Sequence, residues 1–176
     1  MYYQLQNVGE INNSGWELEA TGNVSRLSAT GALTFVDSRV GQLADGYTGD
    51  LRGGDRMLQV PATTASFNLA WDASHWTTSI GGSRAFNWIN YDELQLADDW
   101  LSASRPTHDL LGTNLRQYWR RYNGGFRLRA SLSRDLRRDL SFELTGDNLL
   151  NYQRGEPDDI TIVPGRTILT GLRLKF

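Results

Sequence analysis

Stretch after stretch of this chain alternates apolar and polar side chains with a period of two, and nothing else in the sequence restricts its fold as much. Residues 126–133 set Phe126, Leu128, Ala130 and Leu132 against Arg127, Arg129, Ser131 and Ser133. Residues 139–146 set Leu140, Phe142 and Leu144 against Asp139, Ser141, Glu143 and Thr145. The same rule runs through 64–72 (Ala65, Phe67, Leu69, Trp71) and 15–24 (Trp16, Leu18, Ala20, Val24). It also holds over 75–89 (Trp76, Ile80, Phe86, Trp88), where Arg84 breaks the register. Residues 27–36 follow it more loosely, and 2–8 most loosely. The closing stretch, ILTGLRLKF, puts Ile168, Thr170, Leu172, Leu174 and Phe176 on one face and Arg173 and Lys175 on the other. About eight strands are therefore expected, each near the roughly 9–11 residues that cross a bilayer.

The connections are sorted by length. A short one is expected at 9–15 (GEINNSG); tight links near 24–27, 72–75 and 134–138 then alternate with long ones at 37–60, 91–124 and 149–165. Short turns at one end and long loops at the other are the signature of an outer-membrane barrel. If the last strand ends on the periplasmic side, every long loop falls on the outer side. The expected fold is all-β: an antiparallel transmembrane β-barrel segment of about eight strands in a meander, with short periplasmic turns and long extracellular loops. Alternation alone is also compatible with a soluble antiparallel sandwich that has one wet face. The loop sorting and the terminal Phe argue against that reading.

Composition narrows the function. The 176 residues carry a net charge of −2, so no basic field points to nucleic acid. There is no cysteine, which removes disulfides and cysteine-based metal sites or nucleophiles. No apolar run approaches the 18 residues of a membrane helix, and no signal peptide is read at the start. Six Trp, seven Tyr and six Phe, punctuated by 18 Gly, favour strands over helices.

The segment LSFELTGDNLLNYQ…VPGRTILTGLRLKF (140–176) resembles the C-terminal end of TonB-dependent outer-membrane receptors. Its elements are Asn148, Leu149, Leu150, Asn151 and Tyr152, then Pro164, Gly165 and Arg166, then Phe176. Tyr152 stands one residue earlier than the commonest spacing. Residues 7–24 and 60–71 are similar to a mid-barrel hairpin and to a Val-Pro-started strand of the same family. The resemblance implies that 1–176 is the C-terminal portion of a receptor barrel, lying in the outer membrane of a Gram-negative bacterium. It implies outer-membrane lipid and the barrel-assembly machinery as partners, with Phe176 as part of the assembly signal. It further implies an energy-transducing TonB complex, acting through an N-terminal part, and uptake of a ferric siderophore or another scarce nutrient. The family's barrels have 22 strands around a plug, so a fragment is expected. The alternative left open is a self-contained small eight-stranded barrel with a structural or adhesive role.

No enzyme, cofactor or metal site is read. His75 and His108 lack ligand neighbours at metal spacing. Asp45, Asp50 and Asp55 in the Gly-rich stretch 45–55 do not match an EF-hand and are expected to be solvated, as is the acidic turn at 155–159. RQYWRRYNGG (116–125) is the most suggestive stretch. Its rings suit a girdle at the membrane boundary. As ligand contacts, Arg116, Arg120 and Arg121 would attract an anion while Tyr118 and Trp119 stack on it. Tyr47 and Trp100, in the other long loops, are further candidates.

Overall fold

The computed structural model describes residues 7–102, 112–153 and 163–174. Seven strands form one antiparallel sheet: β1 (Gly9–Val24), β2 (Leu27–Leu43), β3 (Thr63–Ala73), β4 (Trp76–Phe86), β7 (Arg127–Asp135), β8 (Leu140–Asp147) and β9 (Thr167–Leu174). They lie side by side in that order. Two short strands, β5 (Trp88–Tyr91) and β6 (Trp119–Tyr122), pair as a separate ribbon between β4 and β7 in sequence. Among the described residues the sheet is open, with β1 and β9 at its two edges.

The register makes the two faces explicit, because directly opposed residues share a face. Trp16 opposes Phe35, Leu18 opposes Leu33, Leu33 opposes Ala65, Leu69 opposes Ile80, Ile80 opposes Ala130, Leu132 opposes Leu144, and Phe142 opposes Leu172. One apolar face therefore runs unbroken across all seven strands. Its side chains are bare: Leu18 is 57% exposed and Leu172 67%. A patch of this extent is far beyond what a protein surface keeps in water, so it needs an apolar covering. Stacked Trp16 and Phe35, 4.4 Å apart, mark the outer end of the face, and Trp71 and Trp76 mark the end beside the tight turns. Aromatics at both borders of an apolar band are what a membrane wall presents. The other face carries Glu17, Glu19, Ser66, Asn68, Ser79, Arg129 and Ser131, with Arg127 paired to Asp147 and Arg173 to Glu143.

Two features depart from the sequence expectation. Residues 9–15 are not a connection but the upper part of β1, paired to β2 with one irregularity between Glu10 and Ile11. β2 likewise runs on to Leu43, so this hairpin overshoots β3, which pairs β2 only as far as Phe35. Above the membrane both faces of a hairpin are wet, so no alternation betrays it. The second departure is α1 (Glu93–Ser102) and a 3-10 turn (Gly112–Tyr118) inside the long 87–126 connection. Asp92 caps α1, its carboxylate accepting from the Gln95 amide at 3.1 Å. Residues 1–6, most of the first expected strand, lie outside the described residues. So do His108, the acidic turn at 155–159, Lys175 and Phe176.

A single-layer wall has no interior of its own. Of the buried residues described, Leu51, Trp88, Tyr118, Val163, Asp50, Asn90 and Asn148 belong to the outer segments and Ser38 and Val40 to the overshooting part of β2, while Gly81, Gly82 and Ser141 lie within the sheet. The burial of this chain is concentrated in its outer loops.

Candidate functional site

Three outer segments rise from the wall: 44–62, 87–126 and 148–166. The first folds back along β2. Val40 N donates to Asp55 O, Gly54 N to Val40 O, Met57 N to Ser38 O and Val36 N to Ala62 O, all at 2.8–2.9 Å. These bonds occupy the β2 edge that β3 does not reach, as an overshooting strand requires. The segment then meets the ribbon, where Gln59 N donates to Ile89 O at 2.8 Å and Arg56 to Asn87 O at 2.9 Å.

Asp50 is the hub between the first two segments. It is 5% exposed, and its carboxylate accepts from Tyr91 Oη at 2.8 and 2.9 Å and from Trp119 Nε1 at 2.6 Å. Arg116 donates to the Asp50 carbonyl at 3.2 Å, lies over the Trp119 ring at 4.2 Å, and forms a two-pronged pair with Asp55. Asp55 also accepts from the Arg52 amide at 2.7 Å. The hydrogen bond from Arg116 holds the Asp55 carboxyl below the usual carboxylate range. Burial, and the hydrogen bond it donates to Asp50, push the Tyr91 phenol up. The expected solvated loop at 45–55 is thus corrected: only Asp45 is exposed as anticipated, while Asp50 is buried by its two aromatic donors.

The ribbon has its own anchors. Tyr118, 3% exposed, donates to Asp99 of α1 at 2.7 Å, and that bond raises its phenol to about 12. Arg120 reaches Gln95 at 2.7 Å and Asp92 at 3.5 Å. Tyr122 donates to Tyr91 O at 3.0 Å and stacks on Trp88. In the third segment Asn148, 1% exposed with φ +46°, donates to Tyr152 O and Pro164 O at 2.8 and 2.9 Å and accepts from Tyr152 N at 2.9 Å. Asn151 accepts from Arg166 N at 2.9 Å. The NLLNY…PGR element is therefore a clamp that closes the loop from β8 to β9.

A sequence profile of the TonB-dependent receptor-like β-barrel family matches residues 1–149. The chain belongs to that family. Among solved structures, it superposes on a protein described as copper transporter OprC, with a TM-score of 0.56 and 14% identity over 94% of this chain. The match covers 24% of that transporter, so the chain spans about a quarter of its length. At this identity the likeness bears on the fold alone. No curated protein sequence matches the chain. Members of the TonB-dependent receptor family are outer-membrane transporters of Gram-negative bacteria rather than enzymes.

In this TonB-dependent barrel wall the seven sequence candidates fall into two groups. Tyr47 accepts the Leu51 amide at 3.2 Å, and Arg116, Tyr118, Trp119 and Arg120 are engaged as above. Trp100 is half-buried on α1, and Arg121 is exposed on the ribbon with no side-chain partner among the described residues. The rings of Tyr118 and Trp119 sit within the loop assembly rather than in the aromatic border of the wall. Asp50 was not a sequence candidate. The signal that could have found it is Tyr91 and Trp119, each 41 or more residues away, which no local pattern connects to it.

Two results are expected here. Asp50→Ala leaves two buried donors without an acceptor, a penalty of about 2–4 kcal/mol on the joint between the first loop and the ribbon. Hydrogen exchange of amides 50–62 should accelerate in proportion, with Asp50→Asn in between; unchanged protection would disprove the hub. The second concerns pH. Asp55 is depressed, so its share of stability is present above about pH 4 and is lost as pH falls through its folded value. Tyr118 is raised, so its share is present below about pH 10 and is lost as pH rises toward about 12. Near-ultraviolet circular dichroism should show loop loosening at both ends of that window, and Tyr118→Phe should shrink the alkaline step without touching the acid one, the remainder belonging to Tyr91.

Proposed function

We propose that this chain is the C-terminal wall and outer loops of a TonB-dependent transporter that takes up a scarce nutrient, a ferric siderophore being the first candidate. The supporting observation is a wall with one bare apolar face whose long loops lie on one side, the first two joined by Asp50 and Arg116 and the third closed on itself by Asn148. Rigid outer loops suit high-affinity capture, since little ordering remains to oppose binding. Arg121, exposed on the ribbon, offers a cation suited to an anionic ligand. Capture at these loops and release through a plug driven by a TonB complex would follow. Barrel-assembly machinery would read Phe176, and lipid would cover the apolar face.

The test is uptake of radiolabelled ferric siderophores by cells expressing the complete receptor under iron limitation. Accumulation that stops when the proton gradient is dissipated, and that weakens about tenfold in affinity with Arg121→Ala, supports the reading. Gradient-dependent uptake of another nutrient with none of iron would keep the transporter and discard the siderophore.

A further inference from the structure

At the periplasmic end of the wall, Arg134 occupies an unusual place. Its register partners are Trp76 on β4 and Phe142 on β8, so it stands on the apolar face in line with Leu132. Its guanidinium lies over the Trp76 ring, 4.6 Å from the centroid. No carboxylate pairs with it among the described residues. Asp135 and Asp72 oppose Ser141 and Thr77 on the polar face, Glu143 there is paired to Arg173, and only Asp139 shares the turn. Just beyond Arg134 that turn, 136–139, holds Leu136, 47% exposed, and then Arg137 and Arg138, both exposed. Leu172 and Leu174 flank the same end from β9.

Three permanent cations thus stand where an apolar face meets water, the level at which anionic headgroups attract Lys and Arg. Stacking on an indole uses the face of the guanidinium and leaves its in-plane N–H groups pointing outward. A planar fork of donors fits phosphate oxygens in a two-pronged contact. Directly beneath lies the apolar surface of Leu132, Phe142 and Leu172, which suits acyl chains.

We propose that Arg134, with Arg137 and Arg138, holds the phosphate of an anionic phospholipid of the periplasmic leaflet. The inference rests on the membrane orientation given above. The Trp76 ring orients the Arg134 fork, the turn supplies the second and third cations, and Leu136 anchors the turn in the boundary.

The complete receptor, extracted from outer membranes in a nonionic detergent, is offered phosphatidylglycerol or phosphatidylcholine and weighed by native mass spectrometry. At least a tenfold preference for phosphatidylglycerol is expected, falling to within twofold in Arg134→Gln and by about half in Arg137→Gln/Arg138→Gln. Arg134→Lys keeps the charge but not the fork and should lose most of the preference while inserting normally. No preference in the parent protein, or an undiminished one in all three variants, overturns the site. A protein that binds neither lipid and stays folded in buffer without detergent overturns the membrane orientation itself.

Discussion

Leu172→Arg should weaken insertion of the receptor. Leu172 opposes Phe142 on the apolar face and is 67% exposed, so it meets lipid and nothing else. Leu172 stands in one cross-strand row with Phe142 and Arg134, toward the periplasmic border, so a cation there costs about 1–2 kcal/mol, below the value at mid-bilayer. Its sequence neighbour Arg173 points to the polar face, where Glu143 accepts it at 2.9 Å. Arg173→Leu removes only a half-exposed ion pair, an effect of about 0–1 kcal/mol. Heat-modifiable mobility of outer-membrane extracts reads both variants. A full folded band in Arg173→Leu beside a reduced one in Leu172→Arg is the expected outcome, and equal bands would show that the two faces are wrongly assigned.

Asn148→Ala should release the last strand. Three hydrogen bonds converge on one buried amide, and all three of their partners are main-chain groups, Tyr152 O, Pro164 O and Tyr152 N. At roughly 1 kcal/mol net for each bond, the loss is about 3 kcal/mol. Asn also tolerates the φ of +46° better than Ala does, which adds to it. The loop of 148–166 would lose its closure, and β9 would keep only its ladder with β8. Urea unfolding in micelles should shift accordingly, with fast hydrogen exchange appearing first at 163–169. Exchange that rises uniformly along the chain would mean that the clamp does not act locally.

The wall was legible because lipid imposes a strict rule on one face. Leu18, Leu33, Leu69 and Leu132 had to alternate with polar residues, and the register shows that they do. Even the exception at Arg84 has a reason: near the outer end it turns to donate to Asn123 O and lies over Phe86. Above the membrane that rule lapses. Residues 9–15, rich in Gly and Asn, read as a turn although they are strand. The ribbon of β5 and β6 is four residues a side, its halves separated by α1 and the 3-10 turn. Such pairings are chosen by long-range contacts such as those of Asp50, not by any local period. α1 did leave a trace in Asp92 and Gln95, a cap and its third residue, which the search for alternation passed over. The NLLNY…PGR element was legible by resemblance, and its physical role as a clamp emerged only with the coordinates.

The overshooting β1–β2 hairpin restricts how this loop can change over generations. A single-residue insertion or deletion in 27–43 would rotate every residue beyond it onto the opposite face, and one in 50–62 would pull the segment off Val36, Ser38 and Val40. That leaves the tip at 45–49, where Tyr47 N donates to Ala44 O and Tyr47 Oη accepts from Leu51 N, outside both of these register constraints. Change in this loop would therefore come mainly by exchanging side chains on a fixed frame, with changes of length confined to a tip of a few residues.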